Sequence, residues 1–210
     1  PRGLVISVDR PQDEPTNLNN KRQRRESASD QGYHLRLLST SLFVQGMQPY
    51  RENDARRRAT EIYEQAYRLQ MNGKVAEAIK YYQLSLETFE TSEAHTFLGW
   101  AYSFLGDYAR AIEECTLAIE LDPDYGNPYN DMAAYLIYLD KYDEAEFWLQ
   151  RALRAQRYAS RHYAFYNLGR VYERQGRWFK ALAQYHQAIS VDPSYDMAAL
   201  ALLNLQAKMN

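Results

Sequence analysis

Residues 92–125 read SEAHTFLGWAYSFLGDYARAIEECTLAIELDPDY, and residues 162–195 read HYAFYNLGRVYERQGRWFKALAQYHQAISVDPSY. The two stretches have equal length and carry the same residues at several corresponding places. The shared pairs are Leu98-Gly99 with Leu168-Gly169, Tyr102 with Tyr172, Gly106 with Gly176, Ala111 with Ala181, Ala118 with Ala188, and Asp122-Pro123 with Asp192-Pro193. A unit that recurs at fixed spacing indicates a repeat architecture.

Two further copies of the unit occupy the chain around these two. The copy between them has Ala133, Leu136, Ala145 and Ala152 at the corresponding places, and the upstream copy has Ala66, Gly73, Ala78 and Tyr82. We number the copies in chain order: repeat 1 is 59–91, repeat 2 is 92–125, repeat 3 is 126–161 and repeat 4 is 162–195.

The residue pattern within one unit predicts two helices joined by a tight turn. In repeat 2, Gly106 ends the first helix, because glycine adopts the left-handed backbone at little cost. Ala111, Cys115 and Ala118 then recur three or four residues apart, which places them on one face of a second helix. Pro123 stops that helix. Since no single pair can bury its apolar face alone, the pairs must stack to form a continuous core.

The unit resembles the tetratricopeptide repeat (TPR), a helix–turn–helix module of about 34 residues. The resemblance covers residues 59–195 and implies an all-α, right-handed solenoid of about four units. Repeat 3 departs from the pattern, with Asp140 where the other repeats have glycine, Arg157 where repeats 2 and 4 have proline, and two extra residues before repeat 4. Repeat 1 also lacks the terminal proline. We therefore expect a bend or a lengthened helix at the junction of repeats 3 and 4.

The two ends of the chain differ from the repeats. Residues 1–32 are polar and locally basic, so we expect a disordered tail. The tail includes the run KRQRRES at 21–27, which is either a solvated charge run or a targeting or phosphorylation signal. Residues 33–58 form a partly apolar connecting segment that either caps repeat 1 or docks a partner. Residues 196–210 are expected to form a C-terminal capping helix, in which Leu200, Leu203 and Met209 are a possible second interface or site of self-association.

The family resemblance also implies a concave groove lined by the first helices, which binds a partner. The groove residues implied here are Tyr63, Tyr67, Trp100, Phe104, Asn130, Tyr138, Tyr166, Asn167, Arg170 and Arg174. For Trp100 and Phe104 the alternative is a place in the core, and for Arg170 and Arg174 it is a solvated face or salt bridges to Glu173 and its neighbours. Such a groove would be aromatic at one end and cationic at the other, and Tyr, Trp and Arg dominate binding hot spots. We expect Trp100→Ala to weaken binding by about 2 kcal/mol with little loss of fold. The packing positions of the family hold Tyr102, Tyr108, Tyr142, Tyr172 and Tyr185, which are expected in the core.

One subtype of the family clamps the C-terminal carboxylate of chaperones with Lys, Asn and Arg side chains. The matching positions here are Tyr63, Tyr67, Asn130 and Ala134. The absence of cationic residues at these positions argues against a chaperone tail as the ligand.

Charge and composition argue against other classes of function. Residues 1–58 carry 11 Lys/Arg and 7 Asp/Glu, whereas the remainder carries 14 and 20, so the repeats lack the basic balance typical of nucleic-acid binding. His34, His95, His162 and His186 show no metal-ligand spacing, His95 and His162 are expected near the surface, and we expect no cofactor and no catalysis. No apolar run is long enough to span a membrane. The single cysteine favours a cytoplasmic or organellar location, and because the sequence begins with Pro1, N-terminal processing stays open.

The sequence therefore predicts a protein-interaction adaptor that holds a peptide or helix of a partner in the groove. The alternative is a constitutive subunit of a larger complex, anchored through the tail and the C-terminal helix. A helical-repeat RNA-binding protein is a third and weaker possibility.

Overall fold

The computed structural model describes residues 39–209, with side chains from Glu52 onward. Its helices within this range are α1 (Ser39–Met71), α2 (Val75–Thr88), α3 (Ser92–Phe104), α4 (Tyr108–Leu121), α5 (Asn127–Tyr138), α6 (Tyr142–Arg154), α7 (Arg161–Arg174), α8 (Trp178–Val191) and α9 (Asp196–Met209). The fold is an all-α solenoid, as the repeat pattern predicts. The predicted tail at 1–32 lies outside the described residues.

The chain divides by its internal contacts into residues 1–48 and residues 49–210. The described part of the first unit is a stretch of helical backbone from Ser39, which belongs to α1. The helix that carries the first half of repeat 1 thus begins well before residue 59. The four repeats lie in the second unit.

The repeats stack as pairs of helices. Each second helix contacts the first helix of the next pair, so that α4 packs on α5, α6 on α7, and α8 on α9. The first helices also contact one another, α3 with α5 and α5 with α7, whereas successive second helices of the described residues lack comparable contacts. Because the first helices approach each other more closely, the array curves with the first helices on its inner side. We call this the first-helix surface.

Small residues at the helix crossings allow this close stacking. Ala78, Ala111, Ala145 and Ala181 occupy one column of the repeats and are all fully buried. In repeat 4 the approach is closest at Gly169, where an added Cβ would lie 2.3 Å from the Tyr185 ring. Glycine here leaves room for the Tyr185 ring, which a larger residue would have to displace.

The turns inside the four repeats share one backbone conformation. Gly73, Gly106 and Gly176 have φ of 75°, 74° and 72°, and Asp140 has φ of 58° at the same place in repeat 3. Glycine reaches this left-handed region freely, and aspartate is among the few other residues that visit it. The carboxylate of Asp140 accepts a hydrogen bond from the Tyr142 hydroxyl, which stabilises the substituted turn.

The junction between repeats 3 and 4 contains no lengthened helix. Helix α6 ends at Arg154, and the following loop is held against the end of repeat 2. The backbone of Arg157 donates to Asp124 O at 2.9 Å and accepts from Gly126 N at 3.1 Å, while its guanidinium pairs with Glu93 and Asp122. Arginine in the proline position thus ties this loop to the preceding repeat.

Two of the five tyrosines expected in the core are only half-buried. Tyr102, Tyr172 and Tyr185 are buried, in agreement with the expectation. Tyr108 instead stacks on Tyr138, with ring centroids 5.3 Å apart, and Tyr142 bonds the turn residue Asp140. Both lie at the start of a second helix, where one side of the ring meets the next repeat and the other meets solvent.

Helix α9 follows repeat 4 in the position of a further first helix. It buries Ala198, Leu202 and Leu205 against α8. Leu200 and Leu203, two residues of the possible second interface, are 55% and 63% exposed, and Met209 is also exposed. Leu203 occupies the repeat position that holds Ala66, Gly99, Ala133 and Gly169, where each repeat receives its own second helix.

Candidate functional site

The first-helix surface of repeats 1 and 2 carries a connected aromatic cluster. The Phe97 ring lies 5.2 Å from Tyr63, 5.6 Å from Tyr67 and 5.8 Å from Trp100, and the Trp100 ring lies 5.3 Å from Phe104. These contacts are edge-to-face, the arrangement that aromatic quadrupoles favour. The five rings join α1 to α3 and form one apolar floor, which we call the aromatic cluster.

Exposure within the aromatic cluster is uneven. Phe104 is 43% exposed, and Tyr63 and Tyr67 are half-buried, so these three side chains are accessible to a partner. Trp100 is only 5% exposed, because Phe97 and Phe104 cover its two sides. The expectation that Trp100→Ala leaves the fold nearly intact is therefore wrong, since the substitution removes a core side chain.

The first-helix surface of repeats 3 and 4 carries a chain of polar hydrogen bonds instead. Arg170 Nη1 donates to Asn167 Oδ1 at 3.0 Å, and Asn167 Nδ2 donates to Asn130 Oδ1 at 3.0 Å. Asn130 Nδ2 in turn donates to Asp131 Oδ1 at 3.3 Å. Each amide accepts one hydrogen bond and donates another, so all the bonds run in the same direction, from α7 to α5. The buried polar side chains of both asparagines therefore have hydrogen-bond partners. We call these four residues the polar chain.

Arg170 lies at the accessible end of the polar chain. Its guanidinium is 5.7 Å from the Tyr138 ring centroid and 5.9 Å from that of Tyr166, one ring on each of the helices α5 and α7. The side chain is thus held in place before any partner arrives. Burial raises the pKa of Tyr166 and the Arg170 charge partly opposes this rise, so the phenol stays neutral and can donate a hydrogen bond. Arg174 is exposed, one turn farther along α7.

The structure brings the predicted groove residues together on one side of the repeats, but it gives them different roles. Asn130 and Asn167 are buried and hydrogen-bond each other, so they position Arg170 and do not face solvent. The accessible residues of the set are Tyr63, Tyr67, Phe104, Tyr138, Tyr166, Arg170 and Arg174.

Sequence reasoning missed Phe97 and Asp131, which are central to the aromatic cluster and to the polar chain. Both occupy the repeat position that also holds Asn167, a residue that the sequence did single out. In this column repeat 1 has Glu64, so the column by itself does not predict which half of the surface is aromatic.

Two histidines expected near the surface are buried at the beginning of repeats 2 and 4. His95 Nδ1 lies 2.6 Å from Glu114 Oε2, and its Nε2 lies 3.1 Å from Glu90 Oε1. Burial alone would lower the pKa of His95, but the two carboxylates outweigh it and raise the pKa. Among the described carboxylates, that of Asp192 lies beside His162, with its Oδ2 3.8 Å from the His162 Nε2. Burial outweighs this attraction and lowers the pKa of His162.

Residues that could support other chemistries are not grouped in the described part of the chain. No cluster of three or more His, Cys, Asp or Glu side chains there could hold a metal ion. Among the same residues, no helix combines the length and the apolar character needed to cross a bilayer.

Comparison with protein families gives two matches, both described as tetratricopeptide repeat, at residues 92–125 and 162–195. These ranges are the repeats 2 and 4 defined from the sequence. The chain is a tetratricopeptide-repeat protein. A search of curated protein sequences gave no match to this TPR protein.

Solved structures with the same fold include other TPR proteins. PilF of Pseudomonas aeruginosa is 21% identical, with a TM-score of 0.69, over 75% of this chain and 70% of that one. MamA is 25% identical, with a TM-score of 0.57, over 69% and 84%. YrrB, described as a TPR protein with an unusual peptide-binding site, is 20% identical, with a TM-score of 0.55, over 80% and 83%. At these identities the likeness to PilF and YrrB concerns the fold.

Proposed function

We propose that this TPR protein is a non-enzymatic adaptor that binds a peptide segment of a protein partner across the first-helix surface. The observation that carries the proposal is the division of this surface into accessible aromatic side chains at one end and a pre-positioned arginine at the other. Tyrosine, tryptophan and arginine are the residue types that dominate protein-binding hot spots.

The segment that fits this surface has an apolar part and an acidic part. The apolar part would pack on Phe104 and Tyr67, over the floor formed by Phe97 and Trp100. A carboxylate would pair with Arg170, whose planar guanidinium still has N–H groups available beyond the bond to Asn167. Because the Tyr rings and the polar chain already hold the Arg170 side chain, little side-chain entropy is lost on binding.

The fold itself supports an interaction role. A stack of helix pairs offers a long continuous surface, and the similar protein YrrB is described as having a peptide-binding site. We place the equivalent role of this chain on the first-helix surface because the accessible aromatic and cationic side chains converge there.

The proposal is tested by comparing partners captured from native extract by variants of the full chain. Phe104→Ala combined with Arg170→Met should lose the partners that the unchanged protein retains. The matched control is Phe179→Ala, since Phe179 is 80% exposed on α8 and lies outside the first-helix surface. Quantitative mass spectrometry measures the difference, and circular dichroism checks that both variants stay helical. Equal recovery of every partner by the two variants would contradict the proposal.

A second candidate function is that of a subunit held permanently in a larger assembly or in a self-associated form. The exposed leucines of α9 favour it, since Leu200 and Leu203 present apolar area that the described residues leave uncovered. In this case Leu203→Glu would lower the molar mass measured by light scattering at high protein concentration. An unchanged molar mass would exclude self-association through this face.

A further inference from the structure

Helix α6 differs from the other second helices at positions that face away from the helix crossings. It carries Phe147, Trp148, Arg151 and Arg154, which combine aromatic rings with positive charge. In repeats 1, 2 and 4, the position of Phe147 holds Lys80, Glu113 and Ala183, and that of Trp148 holds Tyr81, Glu114 and Gln184. The position of Arg151 holds Leu84, Leu117 and Gln187, and that of Arg154 holds Glu87, Glu120 and Ser190. Since the repeats share one backbone plan, this set of substitutions is specific to repeat 3.

Three of these side chains, Phe147, Arg151 and Arg154, border an open depression of about 410 Å³ between α6 and the loop that follows α4. The Trp148 ring lies beside it, 6.0 Å from the ring of the lining residue Tyr129. Tyr129 forms one wall, held by a hydrogen bond that its hydroxyl donates to Pro123 O at 3.0 Å. Phe147, which is 52% exposed, forms another wall. Arg151 and Arg154 line the same depression.

Arg151 is surrounded by rings. Its guanidinium carbon lies 5.5 Å from the Phe147 centroid, 5.8 Å from Trp148 and 5.9 Å from Tyr129. A guanidinium among aromatic faces is attracted by their quadrupoles and retains its outward N–H groups. The arrangement therefore offers a fixed cation beside an exposed apolar surface.

Neither arginine of the depression is neutralised by the described residues. No ion pair or side-chain hydrogen bond to Arg151 or Arg154 is present between Glu52 and Met209. The nearby acids Glu93 and Asp122 are engaged by Arg157, and Glu146 is engaged by Arg177 and Tyr172. Asp124 is the one carboxylate on the rim of the depression.

We propose that this depression is a second binding site, which takes an acidic segment of a partner protein that carries an aromatic side chain. Carboxylates of the segment pair with Arg151 and Arg154, and its ring packs against Phe147 and Tyr129. The complementarity is local, because residues 59–210 contain more acidic than basic side chains and do not attract acidic peptides in general. Its arginines and Phe147 belong to the second helix α6, and none of its lining residues is among the accessible residues of the first-helix surface.

The test is a titration of the isotope-labelled full chain with the peptide acetyl-EEFEE-amide, followed by nuclear magnetic resonance. The indole N–H of Trp148 should shift saturably. That of Trp178 serves as the internal reference, and that of Trp100 reports binding at the first-helix surface. The peptides acetyl-QQFQQ-amide and acetyl-EEGEE-amide, which lack the charge and the ring respectively, should each bind about tenfold more weakly. Added salt should lower the affinity of the protein for acetyl-EEFEE-amide, because it screens the attraction between the carboxylates and the arginines.

Variants decide which arginines carry the binding. The double substitution Arg151→Gln and Arg154→Gln should reduce the affinity for acetyl-EEFEE-amide about tenfold and leave the circular dichroism spectrum unchanged. Lys80→Gln is the matched control, because Lys80 is exposed on α2 and lies outside both the depression and the first-helix surface. Arg174→Gln in turn reports binding at the first-helix surface. Absence of a saturable shift at Trp148, or equal affinity of the double variant, would overturn this site. Loss of binding in Arg174→Gln alone would assign the peptide to the first-helix surface instead.

Discussion

The two halves of the first-helix surface use the same backbone for opposite chemistry. In repeats 1 and 2 the rings of Tyr63, Phe97 and Trp100 pack edge to face, whereas in repeats 3 and 4 the amides of Asn130 and Asn167 form a hydrogen-bonded line. Each half joins two neighbouring repeats. The difference shows that the alanine and glycine columns fix the frame, while first-helix residues of several columns together set the character of the surface.

The largest effect is expected in the aromatic half. Trp100→Ala should lower the free energy of unfolding by about 3–5 kcal/mol, because it deletes a buried ring and leaves a cavity between Phe97 and Phe104. Chemical denaturation followed by circular dichroism measures this change. Phe104→Ala, at an exposed neighbouring site, should cost about 1 kcal/mol. Similar decreases in the free energy of unfolding for the two substitutions would contradict the burial of Trp100 at the centre of the aromatic cluster.

Loss of one amide from the polar half should lower the free energy of unfolding by less than loss of Trp100. Asn167→Ala removes the link between Arg170 and Asn130 and leaves buried polar atoms unpaired, which should cost about 1–3 kcal/mol. The same denaturation experiment applies. A double-mutant cycle with Asn130→Ala should give a non-additive result, since the two side chains bond each other. Strict additivity would contradict a continuous polar chain.

The two buried histidines should give opposite dependences of stability on pH. The pKa of His95 is raised above its ordinary value of 6.5, so its stabilising contribution is complete below about pH 6.5 and is lost as pH rises through the folded-state pKa. The pKa of His162 is lowered below 6.5, so the stability contributed by the neutral side chain is complete above about pH 6.5. It is lost as pH falls through the folded-state pKa.

The histidine variants separate these two effects. His95→Gln should be destabilising by a larger margin at pH 6 than at pH 8, and His162→Gln should show the reverse trend. Unfolding free energies at several pH values provide the measurement. The same trend for both variants would mean that the Glu114 and Glu90 carboxylates do not stabilise the protonated form of His95.

The smallest effect is expected at the turn of repeat 3. Asp140→Gly should change the unfolding free energy by less than about 1 kcal/mol, because glycine relieves the left-handed backbone but removes the bond from Tyr142. Asp140→Ala loses that bond without relieving the backbone and should be about 1 kcal/mol less stable than Asp140→Gly. Equal stability of the two variants would show that the positive φ carries no cost.

The sequence predicted the helical frame because its signals are local. A glycine at three of the four turns and alanines three or four residues apart can be recognised within one repeat, and they predict the repeat plan. Asp140 also could be placed in the same turn from its alignment with Gly106. Such signals depend on residues close in the chain.

The surface was predicted only in part because its contacts join different repeats. Trp100 is buried by its neighbours Phe97 and Phe104, and the Asn167 amide is satisfied by Asn130 of another helix. Knowing that a residue such as Trp100 lies on the groove side of its helix does not reveal whether neighbouring side chains will bury it. The sequence therefore indicates which residues lie on the first helices but not which of their side chains are accessible.

The central claim is that a partner segment lies across the first-helix surface. The most direct test places a photo-reactive benzoylphenylalanine at position 104 and, in a second protein, at position 179, and irradiates each in native extract. We predict a cross-link to a partner from position 104 and none to the same partner from position 179, with the linked peptide acidic on one side of the attachment point. A partner captured only from position 179 would contradict the claim and place the interaction on the second helices.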